Sequence, residues 1–157
     1  MSERITTEWT KTTDQAFGIT NEIIKGQLAE QMYAEWAPNV YDHVIYYPYD
    51  REKQIAGIDF EIMKNTWSRM YSLDVKGNLT DKGNFWVENK PTGWLRDKKK
   101  TNDRVVHICT TTGYAVEYDR KQMIQYIDSI NEQNEYINMS VFDKGIQHLI
   151  RRFKVKK

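Results

Sequence analysis

Gly57-Ile58-Asp59-Phe60 is followed, fifteen residues after its aspartate, by Asp74-Val75-Lys76. Both stretches read as strands, Ile58 to Met63 and Trp67 to Lys76, and Gly77-Asn78 supplies the turn that ends the second. Side chains alternate between faces along an extended strand. Asp74 and Lys76 therefore share a face, and Val75 takes the other. If the two strands are neighbours, Asp59 closes on the same spot. Two carboxylates and an ammonium in one place suit a divalent cation beside a phosphate. Asp59 and Asp74 would be its ligands, and the backbone carbonyl of Val75 a further one. Lys76 would polarise the attacking water or hold the phosphate. Without a cation the two carboxylates repel, and one of them holds its proton more tightly. Glu61 shares the face of Asp59 by period two and is an alternative ligand. A second triplet of the same spacing, Glu88-Asn89-Lys90, follows Phe85-Trp86-Val87, but Pro91 ends that strand at once. An acid-x-Lys triplet taken alone is also what a pair of solubilising charges looks like.

Outward from this centre, Thr12 to Trp36 reads as a helix. Its apolar stripe is Ile19, Ile23, Leu28, Met32 and Trp36, widened by Ile24 and Tyr33. Gly18 and Gly26 weaken it, and Pro38 ends it. Val40 to Tyr49 is strand-like, and Asp50 to Gly57 a charged turn. Phe85 to Glu88 is short and extended, with a turn at Pro91-Thr92-Gly93. Arg104 to Thr110 and Tyr114 to Tyr118 form two strands joined around Gly113. Asp119 is a good N-cap for a helix to Ile130, with Met123, Ile124 and Ile127 as its apolar face. A last short helix is expected from Ser140 to Phe153. The order predicts an α/β domain, a mixed central sheet flanked by helices.

The chain has 157 residues, enough for one domain with a real core. Charged residues make up 29% and hydrophobic ones 39%, which excludes a disordered chain. No apolar run approaches the roughly 20 residues that cross a bilayer, and Met1-Ser2-Glu3-Arg4 opens no signal peptide. A cytoplasmic location follows by default. Cys109 has neither a disulfide nor a zinc partner and reads as a buried thiol among Val105, Val106 and Ile108. His43, His107 and His148 lack ligand spacing, and His107 reads as packed. There is no phosphate-binding Gly-rich loop with Lys-Ser/Thr and no Gly-x-Ser-x-Gly elbow.

The net charge is only +1, yet Arg96, Lys98, Lys99 and Lys100 cluster. So do Arg151, Arg152, Lys154, Lys156 and Lys157 at the C-terminus. Each cluster is either a solvated surface or a set of phosphate contacts. Tyr46, Tyr47 and Tyr49 either stack on bases or pack a strand edge. Trp94, beside the first basic run, is the better candidate for a DNA contact.

Gly57-Ile58-Asp59 and Asp74-Val75-Lys76, together with Gly26-Gln27-Leu28-Ala29-Glu30 on the first helix, resemble the motifs of the PD-(D/E)xK, or restriction-endonuclease-like, superfamily of phosphodiesterases. Lys82-Gly83-Asn84-Phe85-Trp86-Val87-Glu88, Gly93-Trp94-Leu95 and Asn102-Asp103 are similar to a run in its small phage-type members. The resemblance covers roughly residues 20 to 127. Ile58 stands where the superfamily has proline, and the second acid is aspartate where glutamate is commoner. The resemblance implies a three-layer α/β/α fold around a mixed sheet, Mg²⁺ or Mn²⁺ dependence, a DNA substrate and a homodimer. It makes Glu30 the supporting acid, with Glu22 and Glu35 as alternatives. A viral or mobile-element origin, and so a host-cell cytoplasm, fits the size. The expectation is a metal-dependent endonuclease. The alternatives are a non-catalytic nucleic-acid-binding protein of degenerate nuclease fold, and an interaction protein with no nucleic-acid role.

Overall fold

The computed structural model describes residues 11–155, with side chains from residue 22 onward. Helix α1 runs unbroken over Lys11–Trp36, past both glycines, and continues as a 3₁₀ turn at Ala37–Asn39 that accommodates Pro38 at its start. Strand β1 is His43–Tyr46. The segment expected to be a charged turn forms a short helix, α2 (Arg51–Ile55), because the Asp50 carboxylate caps the backbone N–H of Lys53 at 3.0 Å. Strands β2 (Phe60–Met63), β3 (Tyr71–Lys76), β4 (Asn84–Glu88), β5 (Arg104–Ile108) and β6 (Tyr114–Asp119) follow. Helix α3 (Arg120–Ser129) starts on the expected cap, with Asp119 accepting from the Gln122 N–H at 2.9 Å.

The chain then departs from the expected last helix. It forms β7 (Tyr136–Ser140), a 3₁₀ turn at Lys144–Ile146 capped by Asp143, and β8 (Ile150–Lys154). The apolar spacing over 140–153 suits a helix, but the open edge of β6 offers backbone partners, and β8 pairs there antiparallel. Tertiary pairing overrides local pattern.

Six strands form one mixed sheet in the order β1-β2-β3-β5-β6-β8, and β4 pairs with β7 in a separate two-stranded sheet. All ladders in the large sheet are antiparallel except β3 with β5, which is parallel. Apolar side chains divide into two clusters. One joins α1 to the sheet through Ala29, Tyr33, Phe60, Leu73, Val75 and Val106. The other packs the β4–β7 pair and α3 on Val105, Val116 and Tyr118. Along β5, Val105 and Val106 fall into different clusters, so both faces of this strand are covered.

The buried face of α1 keeps part of the expected stripe: Tyr33 is fully buried, and Met32 and Trp36 pack against the same cluster. Ile23 and Leu28 are instead 55% and 40% exposed, and Ala29 is fully buried. A small residue wins because the helix lies close on the end of β3. A Cβ on Gly77 would stand 2.6 Å from the Lys25 carbonyl oxygen and 3.3 Å from the Ala29 Cβ. Gly77→Ala is therefore expected to push α1 away and to cost about 1–3 kcal/mol by overpacking. Urea unfolding reads the loss, and an unchanged midpoint would contradict the close approach.

Candidate active site

The register of β2 against β3 pairs Phe60 with Leu73 and Glu61 with Ser72. Continued by one step, it sets Asp59 opposite Asp74, and the Asp59 N–H donates to the Leu73 carbonyl at 2.9 Å. Gly57, at φ +74°, turns the chain into this position and leaves no room for a side chain against Asn102. The Asp59 carboxylate accepts the Val75 N–H at 2.8 Å and lies within hydrogen-bonding reach of Asp74. Asp74 is buried at 5% exposure, and the Lys76 Nζ stands 3.2 Å from its Oδ2. Burial first, then the neighbouring Asp74 charge, raises the Asp59 carboxyl well above the usual carboxylate range. Asp59, Asp74 and Lys76 thus come together at the C-terminal end of β3, in a cleft of about 370 Å³.

Glu30 reaches this cleft from α1 and Lys100 from the loop before β5. Tyr46 stacks on Phe60 at 4.5 Å between ring centroids, and its hydroxyl donates to Glu30 Oε1 at 3.1 Å. Burial raises the Glu30 carboxyl, opposed by that hydrogen bond. Of the alternatives, Glu22 lines the same cleft, while Glu35 lines the adjoining one. Glu61 is engaged elsewhere, accepting from the Tyr47 hydroxyl and pairing with Lys53 at 3.8 Å. Among the described residues, no three His, Cys, Asp or Glu side chains form a metal cluster. Asp59 and Asp74 face each other as a pair, and Glu30 lines the same cleft.

Lys76 has a second partner. Its Nζ sits 4.9 Å from the Trp94 ring centroid. Trp94 is half-buried, and its backbone N–H donates to Glu88 Oε1 at 3.0 Å. Glu88 thus organises the tryptophan turn from the small sheet and does not line the cleft. Beneath lies His107, fully buried and in register with Lys76. Asn78 Oδ1 can only accept, so His107 Nδ1 donates to it and Nε2 accepts the Tyr118 hydroxyl at 2.8 Å. Burial pushes the imidazole down to about 3, and it stays neutral. The sequence marked His107 as packed but gave no sign of Asn78 or Tyr118 as its partners.

The basic clusters divide on inspection. Arg96 donates to Asn89 Oδ1 and Asp128 Oδ1, both at 2.7 Å, so its guanidinium is spent on structure. Lys98 and Lys99 are exposed, and the Lys100 Nζ donates to the Ile55 carbonyl at 3.1 Å. In the C-terminal cluster, Arg151 and Arg104 hold the buried Glu117 at 2.7 and 2.9 Å. Lys154 lies over Tyr114 and Arg152 over Phe142, on a strand separated from β3 by β5 and β6. Lys156 and Lys157 fall outside the described residues, as does Met1-Ser2-Glu3-Arg4.

Arg120 is a structural support of the cleft wall that no sequence pattern singled out. Its buried guanidinium donates to three carbonyls, those of Asn102, Leu95 and Lys100, at 2.7, 2.9 and 3.2 Å. It fixes the loop that carries Trp94 and Lys100. Among the described residues no helix is long and apolar enough to cross a membrane.

Comparison with known proteins adds a distant likeness. No family model matches the chain, and no curated protein does. Among solved structures, a bacterial homing endonuclease aligns with 76% of this chain and 75% of its own, at 17% identity and a TM-score of 0.46. That resemblance is one of broad arrangement and says nothing of activity.

Proposed function

We propose that this protein is a metal-dependent DNA endonuclease of the restriction-endonuclease-like class, with α1, the large sheet and the α3 side as its three layers. The observation that carries the reading is the opposition of Asp59 and Asp74 with Lys76 3.2 Å from the second carboxylate. The donor set fits Mg²⁺ or Mn²⁺: it is all hard oxygen, and the crowded pair holds a proton that a cation would replace. Asp59, Asp74 and the Val75 carbonyl would hold the ion. Bound there, it would neutralise phosphate charge and make a hydroxide available near neutral pH.

The chain's own groups have separate tasks. Lys76, held between Asp74 and Trp94, presents its ammonium to a phosphate oxygen or to the attacking water. Glu30, fixed by Tyr46, accepts a proton or hydrogen bond from that water. Lys100, Lys98 and Lys99 attract the phosphate backbone along the rim. Exposed Ile23, Ile24 and Leu28 on α1 suit a second copy, and a dimer would let both strands be cut. The direct test is incubation with branched, nicked and linear DNA, with and without Mg²⁺. Binding that falls steeply with salt, with no cutting under any divalent ion, would favour the non-catalytic alternative.

The proton on Asp59 gives a pH dependence. Its folded-state affinity for the proton is raised above the unfolded value near 4. The contribution to stability is therefore full below about pH 4 and is lost as pH rises through the raised value. In EDTA, wild-type melting temperature should fall relative to Asp59→Asn as pH climbs from 5 to 9. Added Mg²⁺ should stabilise wild type increasingly over the same range and leave Asp59→Asn unmoved. A metal response equal in both proteins would remove Asp59 from the ligand set.

A further inference from the structure

A second cavity, about 700 Å³, adjoins the cleft. Glu30, Gln54 and Asp59 line both, and this second cavity is a trench beside the carboxylate pair. Its far wall is the segment between β1 and α2, with Tyr46, Tyr47 and Tyr49. Tyr46 and Tyr47 are committed to Glu30 and Glu61 by their hydroxyls. Tyr49 is 92% exposed, and among the described residues its ring packs against no other aromatic. It is nevertheless held in place. Pro48 restricts the backbone before it, Gln54 Nε2 donates to the Pro48 carbonyl at 3.3 Å, and Asp50 after it caps α2.

The opposite wall is α1, with Gln27, Gln31 and Glu35. Among the described residues the Gln27 and Gln31 amides have no hydrogen-bond partner within the chain. This lining does not suit phosphate, because the carboxylates of Glu30 and Glu35 repel it. It suits a flat, uncharged group with amino donors at its edge. The cations that would hold phosphate, Lys76 and Lys100, lie in the first cavity.

We infer that the trench receives an unpaired nucleobase next to the scissile phosphate, stacked on Tyr49 and read at its edge by Gln27, Gln31 and Glu35. The base would carry an exocyclic amino group, which these acceptors recognise. A base paired within a duplex cannot enter, so the strand being cut must be single-stranded or unpaired at that nucleotide. A stack on an aromatic side chain is tolerant of sequence and is worth roughly tenfold in affinity. The inference rests on the endonuclease reading for its substrate, but its test does not require cleavage.

The full chain is titrated in EDTA against fluorescein-labelled DNA. The probes are a blunt duplex, the same duplex with a single-stranded overhang, and that overhang with an abasic site at the junction. Binding to the overhang should be about tenfold tighter than to the blunt duplex, and the abasic site should erase the difference. Tyr49→Ala should lose about tenfold on the overhang alone, and Tyr49→Trp should recover it. 2-Aminopurine at the junction should be quenched by wild type and not by Tyr49→Ala. Equal affinity for blunt and overhang DNA, or a Tyr49→Ala protein that binds and quenches as wild type does, overturns the inference. So does a failure to bind any of the three. Overhang-selective binding without cutting in Mg²⁺ would sustain it while removing the endonuclease reading.

Discussion

Asp74→Ala and Lys76→Ala should each lower DNA cleavage by at least about a thousandfold, roughly 4 kcal/mol of barrier. The reasons differ. Asp74→Ala removes one of the two carboxylates that face each other across β2 and β3. Lys76→Ala removes the ammonium paired with Asp74, and it leaves Asp74 buried without its partner at 3.2 Å. Cleavage of branched, nicked and overhang-bearing DNA in Mg²⁺ measures both. Binding in EDTA should change by no more than a few-fold, which separates lost chemistry from a lost fold. Cutting at the wild-type rate by either protein would dismiss the site.

Arg120→Ala should be the most destabilising single change away from the carboxylates. The guanidinium satisfies three loop carbonyls at once, and its burial holds it below its ordinary range. Truncation leaves those oxygens facing a cavity without donors, at a cost of about 3–5 kcal/mol. For a chain of this size that is a fall in melting temperature of roughly 6–20 °C. Arg120→Lys keeps the charge but reaches fewer carbonyls, so it recovers only part of the loss. Cleavage should also weaken at temperatures where Arg120→Ala is still folded, because Trp94 and Lys100 lose their anchor. A melting temperature within about 2 °C of wild type would show that the loop holds itself.

The meeting of Asp59, Asp74 and Lys76 was legible because it depends on local rules. A strand alternates its faces, and two strands joined by a short connection pair as neighbours. The cap at Asp119 was legible for the same reason. What failed depends on distant partners. The α1 stripe over Ile23 and Leu28 has helical period, but Gly77 lets the helix backbone dock, and that selects Ala29 instead. The stretch 140–153 has helical spacing, but β6 had an edge to fill. Arg96 and Arg151 belonged to basic runs, yet Asp128 and Glu117, far along the chain, claimed them. Arg120 left no local signature, since its three acceptors are backbone carbonyls and any residue supplies those.

The parallel pairing of β3 with β5 has a consequence for how the cleft comes into being. Residues 77–103 lie between those strands and include Trp94 and Lys100. Parallel neighbours join only after such a long excursion has closed, which is slow compared with forming a hairpin. The β2–β3 hairpin can set the two aspartates face to face early, while the indole and the rim lysine arrive only with the central closure. A chain still emerging or half collapsed therefore holds bare acids with no walls around them, and the enclosed cleft exists only once folding is finished.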